Sequence, residues 1–421
     1  MAAARGLLSA LVRNETDMWG PTTMVTSALL GKSSNVSSSG NLSNVEFALF
    51  VDNDIPVVVY LAVLSVIGTI GNSHAVAVYS LRYKPSNHRT FVLWLASVDL
   101  TASLLSMPFE SFDIRYNLTF SVISVCKSFK ALNYFVSTCS GFLLGIIAVE
   151  RYRKVCVPLG MQLTPIAAKC VCMIAAVVAI GLSSISGVVY GIVPRTIPSY
   201  ENLTGTECTV MDDYRETSLF KGYSVFLLFI STVVFVLCIF TYSFVGRILY
   251  KQILFRSKSH STQSGSSSNR KSSTGNEKSV HQDLGSSGHQ EEESSFAHVN
   301  TKEMIAVTSP TENSKHRNKR KRGLDRSKQI AFMFLIATAA SYVGYLPNMV
   351  LLIIKGIQSE TYDAIDESLG AFNAILVRSY FLSSVVNPIV YCFVDERFRR
   401  ECKLLYLKLY YYICKNVRCV R

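Results

Sequence analysis

Residues 95–109 read LASVDLTASLLSMPF, an apolar stretch with one acid, Asp99, near its middle. An ionisable side chain at the centre of a bilayer is costly, so an acid there is expected to be functional. The stretch belongs to one of seven apolar runs, each long enough to cross the hydrocarbon core as a helix of about 20 residues. The runs lie near 55–81, 89–110, 123–152, 168–193, 220–250, 328–354 and 370–393. The sequence predicts an all-α membrane protein built as a seven-transmembrane helix bundle.

The composition supports a membrane protein. Hydrophobic residues make up 49% of the 421 residues, mean hydropathy is +0.28, and 17% of residues are charged. Soluble chains carry about 25% charged residues, so an ordinary soluble enzyme is excluded. The net charge of +13 could suggest a nucleic-acid partner, but the basic residues cluster beside the spans, where basic cytoplasmic loops explain them. No nucleic-acid partner is predicted.

Two patterns predict the orientation in the membrane. Lys and Arg crowd the first, third and fifth inter-span segments and the C-terminal tail, which the positive-inside rule places in the cytoplasm. Five Asn-X-Ser/Thr sequons fall on the opposite side, and we interpret them as glycosylation sites. The sequons begin at Asn14, Asn35, Asn41, Asn117 and Asn202. The chain is therefore predicted to be a multi-pass plasma-membrane protein with an extracellular N-terminus.

The same patterns divide the chain into five parts. We expect a disordered, glycosylated extracellular segment over 1–54, and the first five helices over 55–252. Residues 253–325, rich in Ser, Gly, Asn and charge, predict a disordered cytoplasmic third loop. The last two spans follow over 326–394, and residues 395–421 predict a short amphipathic eighth helix that lies on the inner leaflet, with a cytoplasmic tail.

Cysteine placement is uneven. Of 11 cysteines, only Cys126 and Cys208 lie in or beside outer loops, where oxidising conditions allow them to pair. The tail cysteines Cys402, Cys414 and Cys419 are palmitoylation candidates, with plain cytosolic thiols as the alternative.

Two further polar motifs lie on the spans. Glu150-Arg151-Tyr152 ends the third span, where the acid and the guanidinium can hold each other by a charge-assisted bond. Asn387-Pro388-Ile389-Val390-Tyr391 lies in the last span, where Pro removes a helical hydrogen bond and Asn can satisfy the freed groups.

Together these motifs resemble the rhodopsin-like (class A) G-protein-coupled receptors, over about residues 50–405. The residues that carry the match are Gly71-Asn72, Leu95-Ala96 with Asp99, Cys126 at 25 residues before Arg151, Cys208, Tyr242, Pro347 and Asn387 to Tyr391. The subgroup resemblance is to the cholecystokinin and orexin branch of neuropeptide receptors, through Met107-Pro108-Phe109 and the stretch that follows. The resemblance implies a receptor, not an enzyme, that binds an extracellular peptide and activates a heterotrimeric G protein.

The resemblance also implies roles for single residues. Asp99, Ser140, Ser384 and Asn387 would line a pocket for an allosteric sodium ion, with no other cofactor expected. The residues implied in activation and G-protein coupling are Glu150, Arg151, Tyr152, Tyr242, Tyr345, Pro347, Asn387, Pro388 and Tyr391. Several positions depart from the family pattern, because the fourth span lacks Trp, the fifth lacks Pro, and Gly344-Tyr345 precedes Pro347 where Cys-Trp is usual. Tyr345 is therefore interpreted as a polar rather than a steric switch.

Three residues are predicted to contact the ligand. Asn133 stands where amine receptors carry an Asp, which argues against an aminergic ligand. Glu110 lies 11 residues beyond Asp99, and Arg378 nine before Asn387, which puts both about 13–16 Å toward the outer face. Arg378 suits a carboxylate, a sulfate or a C-terminal amide as its partner. The alternative is a structural pair between Arg378 and Glu110, with no part in ligand binding.

Other readings stay open. A receptor of the same fold for a lipid or small acid is the first alternative, and a transporter or channel is the second. The third loop holds Ser294-Ser295 behind Glu291-Glu292-Glu293, which predicts a phosphorylation target for a receptor kinase and a docking site for arrestin. The tail beyond Val394 has no Ser or Thr.

Overall fold

A computed structural model describes residues 42–197, 200–215, 217–265 and 310–418. Within them, six helices are long and apolar enough to cross a membrane, and a bent pair of helices supplies a seventh span. We number the spans in chain order. They are span 1 (Ile55–Arg82), span 2 (Asn87–Thr101, π-helical Ala102–Ser106 and Met107–Arg115), span 3 (Ile123–Cys156), span 4 (Pro165–Val189), span 5 (Ser218–Gly265), span 6 (Pro310–Ile357) and span 7 (Ala371–Val377, Ser379–Phe381 and Leu382–Val394). The predicted seven-helix bundle is confirmed.

Further helical elements lie outside the bundle. An N-terminal helix, Leu42–Leu49, leads through π-helical Phe50–Asp54 into span 1. Asp212–Arg215 precedes span 5, and Ser359–Leu369 lies between spans 6 and 7. The tail helix, Glu396–Arg418, follows span 7.

Polar residues set where two of the spans begin. The Ser86 hydroxyl accepts a hydrogen bond from the Arg89 backbone amide at 3.3 Å, at the start of span 2. Thr164 does the same for the Ala167 amide at 3.2 Å, with Pro165 in the first turn of span 4. These caps satisfy amides that have no partner inside the helix.

Span 2 changes its winding in the middle. The Met107 amide donates to the Ala102 carbonyl, five residues back, and Pro108 follows directly. Proline has no amide hydrogen and cannot continue the regular pattern, which accounts for a π-helical turn at this place. The extra residue rotates Met107–Arg115 relative to the rest of the span, and Glu110 lies buried on this rotated part.

Span 7 is bent by 48° where Ala371–Val377 meets Ser379–Val394. The hydroxyl of Ser379 donates to the Gly344 carbonyl of span 6 at 2.6 Å. A Cβ atom at Gly344 would lie 3.1 Å from the Ser379 carbonyl oxygen, so glycine allows span 6 to approach the bend closely.

The predicted fourth span, 168–193, extends too far. Span 4 ends at Val189, and Tyr190 begins strand β1 (Tyr190–Ile197), which pairs antiparallel with β2 (Tyr200–Val210). We call this pair the outer hairpin. Its register places Ile192 opposite Cys208. The sequence 190–193 is apolar enough for a helix, but its backbone amides and carbonyls are used by the strand ladder.

The N-terminal disorder predicted for 1–54 is wrong for 42–54, which is helical. Val45 of this segment is buried in a small apolar cluster with Leu118 and Ile197, so the helix has a surface against which to order. Residues 1–41, with Asn14, Asn35 and Asn41, lie outside the described residues.

The third-loop disorder predicted for 253–325 is also wrong at both ends. Span 5 remains helical to Gly265, and span 6 begins at Pro310. Extending an existing helix requires no new nucleus, so polar residues without a breaker continue it. Residues 266–309 lie outside the described residues. The tail helix is not short, because its 23 residues hold no Gly or Pro to end it.

The main apolar core lies in the half of the bundle that holds Glu150 and Arg151. Tyr79, Phe334, Tyr391 and Phe398 are almost completely buried there. A smaller cluster around Val57, Leu61 and Met107 joins spans 1, 2 and 7.

Candidate functional site

At the end of the bundle that carries the outer hairpin lies a buried cluster of charged residues, which we call the outer polar cluster after the predicted orientation. Arg378 Nε lies 3.2 Å from Glu110 Oε1, and the Arg378 Nη1 donates to the Ala374 carbonyl at 3.2 Å. The Arg378 side chain is 20% exposed and Glu110 is 9% exposed. The structure therefore contains the Glu110–Arg378 ion pair that the sequence analysis gave as an alternative. This pair joins span 2 to span 7.

Span 3 adds two residues to this cluster. The Asn133 amide donates to Glu110 Oε2 at 3.0 Å, which brings together all three predicted ligand contacts, Glu110, Asn133 and Arg378. Lys130 Nζ lies 2.8 Å from Asp113 Oδ2 and 4.0 Å from Glu110 Oε2. Two acids and two cations thus balance in a space with little access to water. Asn133 Oδ1 is buried and has no partner among the described residues, so it remains available as an acceptor.

The sequence analysis singled out neither Asp113 nor Lys130 as a site residue. The signal for Asp113 was its spacing, because residues three apart on a helix share a face and Glu110 was already singled out. The sequence did not reveal that Lys130 on span 3 is the partner of Asp113, because this contact depends on how spans 2 and 3 face each other.

Tyrosines surround the outer polar cluster. The hydroxyls of Tyr134 and Tyr190 are 3.1 Å apart, and the Tyr134 and Tyr223 rings lie 5.9 Å apart. On the other side the Tyr345 and Tyr380 rings are stacked at 6.4 Å. Such rings offer apolar area together with a hydroxyl, a combination typical of peptide-binding surfaces.

The outer hairpin is tied to span 3. Cys126 and Cys208 form a disulfide with a Cα–Cα distance of 5.7 Å, which confirms the predicted pairing. The loop between spans 2 and 3 joins the hairpin, because Thr206 donates to the Leu118 carbonyl at 2.8 Å and Phe120 to the Thr206 carbonyl at 3.0 Å. The disulfide and this strand pairing hold the hairpin beside the outer polar cluster.

Glu46 fixes the N-terminal helix to the same loop. Its Oε1 accepts hydrogen bonds from the backbone amides of Leu118 at 2.8 Å and Thr119 at 3.0 Å, and its Oε2 accepts from the Thr119 hydroxyl at 2.9 Å. Arg115 Nη1 lies 3.9 Å from Oε2. The sequence had assigned this acid to a disordered segment, so it gave no signal for the contact. Asn117, in the same loop, is partly exposed, whereas the side chain of Asn202 lies outside the described residues.

Midway through the bundle, Asp99 lies fully buried. Its Oδ2 accepts from the Asn387 amide at 2.7 Å, which joins span 2 to span 7. Asn72 of span 1 donates to the Ser384 carbonyl at 2.8 Å and to the Gly68 carbonyl at 2.9 Å. The buried oxygens of this region that have no well-aligned partner among the described residues include Asp99 Oδ1, Ser140 Oγ, Asn387 Oδ1 and Asn72 Oδ1. One carboxylate and several neutral oxygens form a donor set that suits a hard monovalent cation.

The opposite end of span 3 carries the Glu150-Arg151 pair. The two side chains contact each other directly, and Lys154 Nζ lies 2.6 Å from Glu150 Oε1. The Arg151 guanidinium lies 5.3 Å from the centre of the Phe334 ring of span 6. Arg151 Nη2 is the atom that faces Glu150, and the ring face of Phe334 is a contact that connects Arg151 to span 6.

The other predicted switch residues lie along the same path. Tyr242 accepts a hydrogen bond from Thr338 of span 6 at 3.3 Å, and Tyr152 packs edge-on against Phe244 at 5.9 Å. The Tyr345 hydroxyl donates to the Ser137 carbonyl of span 3 at 3.5 Å, and Pro347 lies two residues further along span 6. Tyr391 is buried, and its hydroxyl has no partner in the described part of the chain.

Asp395 connects the tail helix to span 1. Its Oδ2 accepts from the Tyr79 hydroxyl at 3.3 Å and the Tyr83 hydroxyl at 3.1 Å, and its Oδ1 accepts from the Phe398 amide at 3.2 Å. Burial, followed by the nearby Asp395 carboxylate, raises the pKa of Tyr83 above its usual range, so this hydroxyl stays protonated and can donate.

The tail cysteines differ in their surroundings. Cys402 packs against the main core, and burial raises the pKa of its thiol to about 11, which favours the plain-thiol alternative at this position. Cys414 is half-buried, and Cys419 lies outside the described residues.

Comparison with known proteins agrees with this geometry. The family model "7 transmembrane receptor (rhodopsin family)" matches residues 71–391. The chain is 26% identical over 369 residues to a cholecystokinin receptor of Xenopus laevis, covering 82% of this chain and 75% of the relative. It is also 26% identical over 332 residues to the cholecystokinin receptor type A of Cavia porcellus, covering 73% of this chain and 70% of the relative. The family match extends from Gly71 on span 1 to Tyr391 on span 7, and the chain belongs to the rhodopsin family of seven-transmembrane receptors.

Proposed function

We propose that this receptor binds an extracellular peptide at the outer polar cluster and passes the signal to a heterotrimeric G protein. The observation that carries the proposal is the buried Glu110–Arg378 pair, with Asn133 and Lys130 beside it and tyrosines around it. The similarity to two cholecystokinin receptors supports a peptide as the ligand. Rhodopsin-family members are signalling receptors, so the chain is a receptor and not an enzyme.

The proposed mechanism starts with exchange of polar partners. A peptide that offers a carboxylate or carbonyl to Arg378 weakens its bond to Glu110, and Lys130 can then balance the charge of Glu110. The bonds between spans 2, 3 and 7 thus change without leaving a buried charge alone. A ligand that binds better to the rearranged bundle shifts the population toward it.

A lipid or small acid is the competing ligand class. Both cations of the cluster already have carboxylate partners, so a small acid would have to break an ion pair without the compensating contacts that a longer peptide makes with the tyrosines. A peptide library and a library of lipid and small acids, applied to expressing cells with calcium and cyclic-AMP readouts, separates the two. Activation by acids and by no peptide would contradict the peptide proposal.

We also propose that the pocket around Asp99 holds a sodium ion. Asp99, Ser140, Ser384 and Asn387 would be its ligands, and the unpartnered oxygens listed above fit such an ion. A bound cation would stabilise the resting arrangement of spans 2, 3 and 7. Raising sodium at constant ionic strength should lower agonist affinity in the wild type and have little effect in Asp99→Asn. Equal sodium dependence in both proteins would exclude the ion from this pocket.

In the proposed orientation, the N-terminus is extracellular and the outer polar cluster lies at the extracellular end of the bundle. Glycosylation at Asn117 is the test within the described residues. Asn117→Gln should remove a glycosidase-sensitive increase in mass, and an antibody to an N-terminal tag should stain intact cells. Staining that requires permeabilised cells would reverse the orientation. Palmitoylation at Cys414 stays a prediction, as does that at Cys402 and Cys419, and metabolic labelling with an acyl probe checks it.

A further inference from the structure

An apolar groove opens toward the membrane between spans 3, 4 and 5, in the half of the bundle that carries Glu150 and Arg151. Its volume is about 410 Å³. Residues from all three spans and from the loop after span 3 line it, including Phe142, Ile146, Ala175, Val178, Val234 and Arg153. The groove lies on the lipid-facing surface of the bundle, away from the outer polar cluster and distinct from the pocket around Asp99.

Small residues create the groove. Gly145 on span 3 allows span 5 to approach, since a Cβ there would lie 3.1 Å from Val234 Cγ1. Ala175 faces the same space from span 4, whereas Val178 on the next turn is 46% exposed. Spans 3 and 5 therefore approach closely at Gly145, whereas span 4 leaves the groove open on the side that faces the membrane.

The polar end of the groove is lined by Arg153 and by Glu150, an acid that already pairs with two other cations. Arg153 lines this end, and its guanidinium donates to the Met161 carbonyl. Its neighbours differ, because Arg151 and Lys154 both contact Glu150. No carboxylate of the described residues lies within 4 Å of Arg153. An anionic group at the membrane boundary would complete its coordination.

Size and charge together decide the occupant. At about 30 Å³ for each water-sized group, the groove holds roughly a dozen methylene groups, enough for much of one acyl chain. We propose that the groove binds one acyl chain of an acidic glycerophospholipid, whose headgroup contacts Arg153. The inference is independent of the peptide and of G-protein coupling, and needs only that the chain spans a bilayer.

The test uses full-length receptor reconstituted in vesicles of equal parts phosphatidylcholine and phosphatidylserine. A trace of each lipid in turn carries a photoreactive group on its acyl chain, and labelled peptides are mapped after irradiation. We expect phosphatidylserine label to concentrate on 142–149 and 171–178. Label spread evenly over the lipid-facing spans would overturn the proposal.

Matched variants test the two ends of the groove. Val178→Trp fills it and should remove most of the label, whereas Val177→Trp, on the same helix but outside the lining, should keep it. Arg153→Gln should lower the preference for phosphatidylserine over phosphatidylcholine about fivefold, with Lys169→Gln as the control. Unchanged label in Val178→Trp contradicts the acyl site, and unchanged preference in Arg153→Gln contradicts the headgroup contact. Excess cholesterol that abolishes the label would assign the groove to a sterol and overturn the phospholipid.

Discussion

Arg378 of span 7 and Glu110 of span 2 share a buried ion pair in which Nε and Oε1 are 3.2 Å apart, and Lys130 of span 3 stands 4.0 Å from the same carboxylate. Because Glu110 has two cationic neighbours, the pair is one part of a larger balance of charge. Loss of Arg378 leaves Glu110 with one cation, whereas loss of Glu110 leaves two cations with one acid, Asp113.

The first prediction concerns this asymmetry. Glu110→Gln should lower the free energy of unfolding by about 3 kcal/mol relative to wild type, because it leaves a buried cation unpaired. Arg378→Gln should lower it by less. Exchanging the partners, with Glu110→Arg and Arg378→Glu together, should recover surface expression only in part, since Lys130 would then face a cation. Thermal unfolding of purified receptor and surface staining measure both effects. Full recovery in the double variant would show that Lys130 is uncoupled from the pair.

The second prediction concerns the N-terminal helix. Glu46→Gln removes the charge from bonds to the amides of Leu118 and Thr119, and bonds to a charged acceptor are worth about 1.5–3 kcal/mol. Hydrogen exchange at these two amides should therefore become roughly 10- to 100-fold faster. Asp52→Asn, which changes an exposed acid of the same segment, is the control and should leave exchange at 118–119 unchanged. Equal exchange in wild type and Glu46→Gln would mean that the carboxylate does not hold the loop.

The third prediction concerns the contact between Arg151 and Phe334. Phe334→Leu keeps an apolar side chain but removes the ring face, and a cation–π contact is worth about 0.5–2 kcal/mol. Agonist-independent binding of a GTP analogue by the G protein should rise about 2- to 30-fold, because span 6 is then less firmly held to span 3. Phe332→Leu, on the lipid-facing side of the same span, is the matched control. A rise of the same size in the control would locate the effect outside the Arg151 contact.

The fourth prediction concerns regulation. Replacing every Ser and Thr between 266 and 309 by Ala should slow agonist-driven internalisation and leave the G-protein response intact, because phosphate there supplies the negative charge that an arrestin would read. Ser294→Glu with Ser295→Glu, added to that variant, should restore part of the internalisation. Arrestin recruitment, followed by energy transfer in cells, is the measurement. Normal recruitment in the alanine variant would place the regulatory sites elsewhere.

Much of the architecture could be predicted, because membrane spans depend on local apolar length. The seven runs, the Cys126–Cys208 disulfide and the contact of Asp99 with Asn387 needed only hydropathy, compartment and family motifs. The misses depend on tertiary contacts. Tyr190 begins a strand because β2 pairs with it, and Glu46 orders the N-terminal helix because the amides of Leu118 and Thr119 lie opposite.

In the outer polar cluster, too, single residues could be predicted and their tertiary contacts could not. Glu110 and Arg378 could be found as charges in apolar surroundings, but their distance could not. Asp113 and Lys130 were overlooked as a pair because each lies close enough to a helix end to pass as an exposed charge. The groove between spans 3, 4 and 5 could not be predicted at all, since it arises where the small side chains of three helices face one another.

The bond between Asn72 and the Ser384 carbonyl has a consequence for the time course of biosynthesis. The two residues are 312 positions apart, and at 5–20 residues per second the ribosome needs roughly 15–60 s to make the intervening chain. Throughout that interval the Asn72 amide in span 1 has only the Gly68 carbonyl of its own helix as a partner. Until Ser384 is made, the Asn72 amide is an incompletely bonded polar group in hydrocarbon. Fragments that end before Ser384 should therefore be retained by membrane chaperones and degraded.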